Sequence, residues 1–486
     1  MNNKSIFLMQ KKSLSDVLFG EVSKKILNII SLVVLARLIT PGDFGLIELA
    51  LVYTSFFTFL SDLGLSTAII QSSNTSKVQL NTIYVINIVV GLLLYLLVYF
   101  LSVNLANLHD NTSLEGVVSI LGLVFIVQSF KLVHYALLRK SHNFKEIQYS
   151  QVLSIFISLF VGILMAYFNH RYWSLVAMIL IQNIIETILM VHFSKWRFSF
   201  DIDFSKTFSH LRIGYNMSIA SLANYFSKKI DKLIIADTGM AEVGLYSKAY
   251  KIMTMILPVI RSTIVEVGIS TICALDSHKN KALVYKKIVL SASLMIYPVG
   301  VLLITNAELL VYILLGSQWG EMVAYIEVFG YMLFIHPLLS TRGVVFIGYN
   351  KSKEYMYSNI VYSIVTVIAF LLGYYFYNVM GVVISYVLIN YLALIPLLIH
   401  TYKNTTIKLI SSLRILRSGI IGGVIMSLSG PLLYSFFGMF FLNNVLIDIL
   451  SVFLQFAIYI GVIIFFKDSR KQVKNLLKII SYKYQV

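Results

Sequence analysis

The stretch LARLITPGDFGLIELALVYTSFFTFLSDLGLSTAIIQ, residues 35–71, decides the fold because a weaker copy of its first half follows later in the chain. At an offset of 199 residues, Asp43, Gly45, Leu46 and Ala50 fall on Glu242, Gly244, Leu245 and Ala249. At an offset of 208, Lys145-Glu146 and Tyr149-Ser150 fall on Lys353-Glu354 and Tyr357-Ser358. Internal duplication of an apolar unit is typical of transporters built from two related lobes.

The composition indicates a polytopic membrane protein. Of 486 residues, 58% are hydrophobic and 13% are charged, and the mean hydropathy is +0.82. The apolar runs are long enough to cross a bilayer. They predict fourteen spans, at 15–39, 44–70, 81–106, 114–138, 147–168, 172–193, 208–236, 243–273, 284–306, 322–348, 356–378, 380–400, 414–436 and 442–466.

The distribution of Lys and Arg predicts the orientation. With a cytoplasmic N-terminus and alternating spans, the inside segments, counted with the first turn of the span that follows each, carry 26 of the 39 Lys and Arg, whereas the outside loops carry only Arg171. Both termini are then cytoplasmic. The net charge of +17 is explained by cytoplasmic loops next to anionic lipid, and it does not indicate nucleic-acid binding.

The duplication predicts the domain organisation of an all-α fold with two parallel six-helix repeats. Residues 1–193 form an N-lobe of six spans, and 208–401 form a C-lobe of six more. The polar segment 194–207 is the predicted cytoplasmic linker, and 402–486 add a helical hairpin and a basic tail. Prolines inside the later spans, such as Pro258, predict either static kinks or hinges.

Apart from the first turns counted with the inside segments, twelve basic residues and nine acidic residues fall within or at the ends of the predicted spans. A charge costs about 2.5–3.5 kcal/mol at mid-bilayer, so these side chains must snorkel, pair or line water. Lys131, Arg212 and Arg342 lie near predicted cytoplasmic ends and are expected to be snorkelling anchors. The other basic residues lie mostly towards the outer half of the membrane. Their position favours a hydrated cationic cavity that attracts an anion, and the alternative is that they snorkel outwards or form ion pairs.

The span acids Glu21, Asp62, Asp231 and Glu266 are candidates for coupling to protons or sodium. For Asp231 the alternative to ion coupling is that it offsets the charge of the lysines around it. Glu48 is expected to pair with Arg37. No cofactor or metal site is expected. The nine histidines are scattered and Cys273 is the single cysteine. No catalytic motif is present, so we expect a protein that is not an enzyme.

Four blocks of the chain resemble the polysaccharide-export branch of the MOP (multidrug/oligosaccharidyl-lipid/polysaccharide) exporter superfamily, within it the Wzx-type flippases and the colanic-acid and teichuronic-acid exporters. They are ARLITPGDFG (36–45) with SDLGLSTAIIQ (61–71), LLRKSHNFKEI (137–147), KKIDKLIIADTGMAEVGLYSKAY (228–250) and LLGSQWGEMV (314–323). Two departures are Ala236, where the family usually has glycine, and His170-Arg171-Tyr172 before Trp173, which lack the usual glycine.

The resemblance implies a V-shaped two-lobe transporter in the bacterial cytoplasmic membrane. It would flip an undecaprenyl-pyrophosphate-linked oligosaccharide from the inner to the outer leaflet by alternating access, driven by an ion gradient. The glycan would become O-antigen, capsule or another polymer, and polysaccharide polymerase machinery would be a partner. The positions consistent with the family's substrate contacts are Lys25, Arg37, Lys228, Lys232, Lys248, Lys251 and Arg261.

Two alternatives belong to other functional classes. A multidrug or organic-cation antiporter of the same superfamily should have an acidic cavity, whereas the spans here hold more bases than acids. A membrane enzyme such as a polysaccharide polymerase usually carries a sizeable outer loop with reactive basic residues. The outer loops here are short and nearly free of Lys and Arg, so the sequence favours the flippase.

Overall fold

The computed structural model describes residues 3–62, 64–72, 75–204, 229–438 and 444–473. Within these ranges the regular structure is helical and contains no strand. The chain divides into two compact units, Met1–Gly244 and Leu245–Val486. The all-α polytopic fold predicted from the sequence is confirmed.

The first unit begins with seven helices separated by short turns. They are α1 (Asn3–Leu38), α2 (Pro41–Asp62), α3 (Leu65–Gln71), α4 (Lys77–Leu108), α5 (Thr112–Lys140), α6 (Phe144–Tyr167) and α7 (Trp173–Ser194). Helix α5 packs against α2, α3, α4, α6 and α7. Its inner face is apolar, with buried residues such as Val117, Leu121 and Phe125 recurring every three to four positions, as one buried stripe of a helix requires.

The segment after α7 has no regular secondary structure and is bound to α4 by hydrogen bonds. The Asn81 amide donates hydrogen bonds to the Ser199 hydroxyl at 2.8 Å and to the Asp201 carbonyl at 3.0 Å. Asp203 donates its backbone N–H to the Thr82 hydroxyl at 2.9 Å. Asn81 and Thr82 are fully buried. Residues 195–204, the described part of the predicted linker, therefore form an ordered strap on the first unit, and the position of the lobe boundary stays a prediction.

Residues 229–235 are helical, and a 3-10 turn Ala236–Thr238 leads into the helices of the second half. These are α8 (Met240–Thr254), α9 (Leu257–Ile260), α10 (Glu266–Cys273), α11 (His278–Thr305), α12 (Ala307–Leu314), α13 (Val323–Ser340), α14 (Arg342–Gly348), α15 (Ser352–Tyr402), α16 (Leu409–Ile415), α17 (Arg417–Gly438) and α18 (Asn444–Phe465). Helix α11 packs against α13 and α17 in the core of the second unit.

Helix α15 consists of two helices joined by a sharp turn. Tyr377 and Asn378 have non-helical backbone angles, and Asn378 has φ 49°. The two halves pack closely where a Cβ on Gly381 would lie 1.8 Å from the carbonyl oxygen of Gly373. The Tyr362 hydroxyl donates to Asn390 Oδ1 at 2.6 Å and links the halves again. These halves correspond to the predicted spans 356–378 and 380–400.

Ten described helical stretches are long and apolar enough to cross a membrane. One of them, Lys353–Tyr402, contains two of the predicted spans. The predicted first span coincides with α1, which carries Glu21, Lys24 and Lys25. The predicted seventh span, 208–236, lies mostly outside the described residues, and the eighth is broken into short helices. The number fourteen therefore stays a prediction.

Candidate functional site

The first turns of α2 and α8 cross at two glycines that are equivalent in the internal repeat. A Cβ on Gly45 would lie 1.6 Å from the carbonyl oxygen of Met240, and one on Gly244 would lie 2.0 Å from that of Pro41. Met240 follows Pro41 at the same offset of 199 residues that relates the glycines. The contact is therefore reciprocal, and it needs residues without a side chain. This crossing lies within the first unit.

Next to this crossing lies a cluster of charged side chains contributed by α2 and by residues 229–232. Lys232 Nζ lies 2.5 Å from Glu48 Oε2, and the side chains are 8% and 21% exposed. The Lys232 backbone N–H donates to Asp231 Oδ1 at 2.9 Å. Lys229 lies within electrostatic range of Lys232, Glu48 and Asp231. The cluster thus combines two ammonium groups with two carboxylates, and an anion would reach Lys232 only by competing with Glu48.

The other predicted cationic residues of the first unit lie on α1 or outside the described residues. Lys25 is half-buried on α1, and Arg37 is exposed near the end of the same helix. Arg37 has interaction partners of its own. Lys228 lies outside the described residues. The structure therefore brings Lys232, Lys229 and Glu48 together, whereas a substrate role for Lys25, Arg37 and Lys228 stays a prediction.

The predicted cations of the second unit lie on a helix that is interrupted twice. Helix α8 ends at Thr254, α9 contains Pro258, and Arg261–Val265 form a π-helical turn. Proline and π-helical turns both bend helices, and π-turns are frequent at functional sites. Arg261 and Lys251 are exposed, whereas Lys248 is buried and has partners. A substrate role for Lys248, Lys251 and Arg261 stays a prediction.

The four carboxylates considered for ion coupling occupy different environments. Glu21 is exposed and pairs with Lys24 at 2.6 Å. Asp62 accepts from the backbone N–H of Ser66 at 3.0 Å and from its hydroxyl at 2.6 Å, and thereby caps α3. Asp231 is buried beside Lys232, and Glu266 is exposed directly after the π-helical turn. Among the described residues, no group of three or more His, Cys, Asp or Glu could hold a metal ion.

A polar network across four helices of the first unit was missed by the sequence analysis. Lys131 Nζ lies 2.8 Å from Glu186 Oε2, and the other carboxylate oxygen accepts from Gln151 at 3.3 Å. Gln151 Oε1 accepts from Lys24 Nζ at 2.7 Å. The expectation that Lys131 is a snorkelling anchor is therefore wrong, because its ammonium is held by Glu186 on α7. The pair is 55 residues apart in sequence, so only tertiary packing shows it.

Replacing Glu186 with glutamine is expected to destabilise the first unit by at least about 2 kcal/mol. The Lys131 and Glu186 side chains are 18% and 12% exposed, and removing one partner leaves an uncompensated charge, which costs about 3–5 kcal/mol when burial is complete. The double variant Lys131→Met/Glu186→Gln should regain more than half of the loss. Thermal unfolding of the purified protein measures both, and a Glu186→Gln midpoint equal to wild type would contradict the pairing.

Arg171, the single basic residue of the predicted outside loops, is joined to the motif that begins α2. Its guanidinium lies 3.1 Å from Asp43 Oδ1 and donates from Nε to Asp43 Oδ2 at 3.3 Å. Asp43 also accepts from the Thr40 hydroxyl at 2.9 Å. Arg171 has φ 48°, a left-handed conformation that favours glycine. Arg171 thus adopts a backbone conformation that suits glycine, although this chain lacks the glycine that the family usually has before the tryptophan.

Asp43→Ala is expected to destabilise the protein more than Arg171→Gly. Asp43 is 4% exposed and stabilises the first turn of α2, a role worth about 1 kcal/mol for helix-capping residues. The Arg171 side chain is 69% exposed, exposed ion pairs contribute about 0–1 kcal/mol, and glycine would relieve the left-handed strain. Thermal unfolding should therefore rank the variants wild type, Arg171→Gly, Asp43→Ala, and the opposite order would contradict this assignment.

The chain is similar to several curated proteins along about two thirds of its length. It is 22% identical to the lipopolysaccharide biosynthesis protein WzxC of Escherichia coli (strain K12) over 328 aligned residues, and the alignment covers 66% of each chain. It is 22% identical to the teichuronic acid biosynthesis protein TuaB of Bacillus subtilis (strain 168), over 68% of this chain and 70% of the relative. The succinoglycan biosynthesis transport protein ExoT of Rhizobium meliloti (strain 1021) is 21% identical over 60% of each chain.

The fold is similar to that of solved membrane transporters. The lipid II flippase MurJ in an inward closed conformation superposes with a TM-score of 0.71, at 14% identity, over 92% of this chain and 99% of its own. A multidrug resistance MATE family transporter of the MOP superfamily, in an inward-facing conformation, gives a TM-score of 0.62 at 14% identity, over 80% of this chain and 94% of its own. At such identity the likeness shows the fold alone.

The sequence motifs, the helical repeats and these likenesses agree with the match to a family model. The model described as "Polysaccharide biosynthesis protein" matches residues 34–324, which is more than half of the chain and includes the glycine crossing and the Lys232–Glu48 pair. The chain is therefore a multi-pass membrane protein that belongs to the polysaccharide biosynthesis protein family.

Proposed function

We propose that the protein is a flippase that moves an undecaprenyl-pyrophosphate-linked oligosaccharide from the inner to the outer leaflet of the bacterial cytoplasmic membrane by alternating access. The observation that carries this proposal is the exposure of cationic side chains on otherwise apolar helices, namely Arg37, Lys251 and Arg261. Such charges are costly in lipid, and an anionic substrate gives them a function. The names of the curated relatives, which include a transport protein for succinoglycan biosynthesis, support the same substrate class.

The chemistry of a pyrophosphate suits these groups. A guanidinium donates parallel hydrogen bonds to phosphate oxygens, and a lysine ammonium supplies a compact charge on a flexible stem. Arg261 begins the π-helical turn after Pro258, so its position depends on an irregular segment that a conformational change can alter. Lys232 is held by Glu48. We propose that Lys232 contacts the substrate in a conformational state in which this ion pair is open.

The proposed energy source is a proton or sodium gradient. Glu21, Asp62, Asp231 and Glu266 remain the proposed coupling residues. Of these, Glu266 and Glu21 are exposed and can exchange ions with solvent without breaking a buried contact. Asp62 already caps α3, which makes it the least suitable of the four.

The alternative is a multidrug or organic-cation antiporter, a class that shares the fold. The interrupted helix formed by α8, α9 and the π-turn exposes Lys251 and Arg261, and both would repel a cationic drug. No described observation favours an enzyme, and the curated relatives carry the names of biosynthesis and transport proteins. We further propose cytoplasmic termini and a polysaccharide polymerase as a partner.

Replacing Lys251 and Arg261 together with alanine is expected to weaken binding of a lipid pyrophosphate at least tenfold, because two groups that can contact the anion are lost; tenfold corresponds to about 1.4 kcal/mol. The probe is undecaprenyl pyrophosphate carrying an oligosaccharide, titrated against the purified protein. Lys279→Ala, which removes an exposed charge from the first turn of α11, is the matched control. Equal affinity of the double variant and wild type would contradict the proposed site.

A further inference from the structure

Arg342, the first residue of α14, is a buried cation in the second unit. It is 5% exposed, and the expectation that it snorkels as an anchor is therefore wrong. Its Nε donates to the Thr401 hydroxyl at 3.1 Å, and Nη2 donates to the Ser358 hydroxyl at 2.9 Å. The guanidinium also lies 5.8 Å from the centre of the Phe346 ring. It thus bridges the two halves of α15.

The described surroundings of Arg342 contain no negative charge to balance it. Within residues 229–438 and 444–473, and equally in the described part of the first unit, no carboxylate oxygen lies within 4.0 Å of its guanidinium nitrogens. Glu354, on the first turn of α15, is exposed and is not its partner. Its two hydrogen bonds go to neutral hydroxyls and use two of the five N–H donors of a guanidinium. Buried charges are normally paired, so this one lacks an anion.

The chemistry around Arg342 fits a phosphate group. The free donors of a guanidinium bind phosphate oxygens in a forked geometry. Ser358 and Thr401 add hydroxyl groups beside it, and the Tyr355 hydroxyl lies 3.4 Å from the position of a Cβ on Gly343, the residue after Arg342. A hydroxyl-lined cation of this kind is neutralised by one phosphate.

The surface next to Arg342 fits acyl chains. On the first half of α15, Tyr357 and Val361 flank Ser358, and they are 63% and 62% exposed. An exposed apolar row continues along the same half-helix through Ile360, Ile364 and Ile368. In a membrane protein such a row faces lipid. Basic sites between helices at the cytoplasmic side commonly bind anionic headgroups, and the sequence places this end of α15 on the cytoplasmic side.

We propose that Arg342, with Ser358 and Thr401, binds the headgroup phosphate of an anionic phospholipid whose acyl chains lie along the exposed row of α15. This lipid is a resident of the second unit and is distinct from the proposed transported substrate. Its phosphate supplies the negative charge that the described residues do not, and it bridges the two halves of α15 at their open end. The proposal does not depend on the proposed function.

Lipid-dependent thermal unfolding of the full-length protein tests this site. In detergent, phosphatidylglycerol should raise the unfolding midpoint of wild type by several degrees more than phosphatidylcholine does. Arg342→Gln should lose this difference, whereas Arg414→Gln, which removes an exposed arginine of α16, should keep it. If Arg342→Gln keeps the full difference, or if the two lipids act equally on wild type, the proposal is overturned.

Two further arms keep the test decisive. Inorganic phosphate distinguishes a free anion from a lipid; if it alone reproduces the effect of phosphatidylglycerol, the lipid is excluded. If Arg342→Gln does not fold, Arg342→Lys keeps the charge without the fork, and native mass spectrometry counts the phosphatidylglycerol retained. We expect the lysine variant to retain at least threefold less lipid than wild type, and equal retention would overturn the proposal.

Discussion

Gly45→Ala is expected to lower the unfolding midpoint of the protein by about 6 °C or more and to abolish export. The new Cβ would lie 1.6 Å from the Met240 carbonyl oxygen and 2.9 Å from the Gly244 nitrogen. Both are backbone atoms of α8, so the strain can be relieved only by moving one helix away from the other. Overpacking costs about 1–3 kcal/mol where side chains adjust, and we expect at least the upper value, which gives the stated shift for a unit of this size.

Gly42→Ala is the matched control for this prediction. Gly42 lies on the same first turn of α2, and a Cβ there would meet nothing nearer than the Ala241 nitrogen at 4.0 Å. The same chemical change should therefore leave the midpoint and export close to wild type. Gly244→Ala should behave like Gly45→Ala, because its Cβ would lie 2.0 Å from the Pro41 carbonyl oxygen. Equal midpoints for the variants at 42 and 45 would show that the helices do not cross here.

Glu48→Gln is expected to destabilise the protein by about 3–5 kcal/mol, because it leaves the ammonium of Lys232, whose side chain is 8% exposed, without its partner. Lys232→Met should cost less, since Glu48 is 21% exposed and keeps access to solvent. The double variant Glu48→Gln/Lys232→Met should recover most of the stability. Glu21→Gln, in the exposed pair with Lys24, is the control for stability and should cost at most about 1 kcal/mol.

The same double variant separates the two roles of Lys232. If the lysine binds substrate when the ion pair opens, a folded double variant should export at least tenfold less polysaccharide than wild type, measured in cells that depend on the protein. Lys232→Ala and Lys228→Ala are likewise expected to weaken export while the protein folds. A double variant with normal stability and normal export would show that Lys232 and Glu48 serve packing alone.

Features that depend on neighbouring residues in sequence could be predicted well. Apolar runs gave the helices, and the repeat at an offset of 199 residues pointed to Gly45 and Gly244, which the structure places in contact. The separation of the spans 356–378 and 380–400 agrees with the turn at Tyr377 and Asn378. Pro258 likewise indicated the irregular helix that carries Arg261.

Features that depend on which side chains meet across helices could not be predicted. The charge of Lys131 and its position near a predicted helix end indicated a snorkelling anchor. Helical periodicity does not specify that Glu186 on α7 faces this lysine. The same holds for Arg342, which binds Thr401 from 59 residues away. Trp319 lies near the predicted outer interface, where tryptophans usually form an aromatic belt, yet it is fully buried. A hydropathy scale scores a residue in the same way whether it faces lipid or lies in the protein interior, so it cannot distinguish these two environments.

The most direct measurement is translocation of undecaprenyl-pyrophosphate-linked oligosaccharide across proteoliposomes, with and without a proton or sodium gradient. A flippase should move the lipid at a rate that depends on the protein, and Lys251→Ala/Arg261→Ala should reduce that rate at least tenfold, while Lys279→Ala should not. A gradient-dependent rate would support the proposed ion coupling. No translocation with a panel of glycans, together with efflux of an organic cation from the same vesicles, would contradict the flippase and support the drug antiporter.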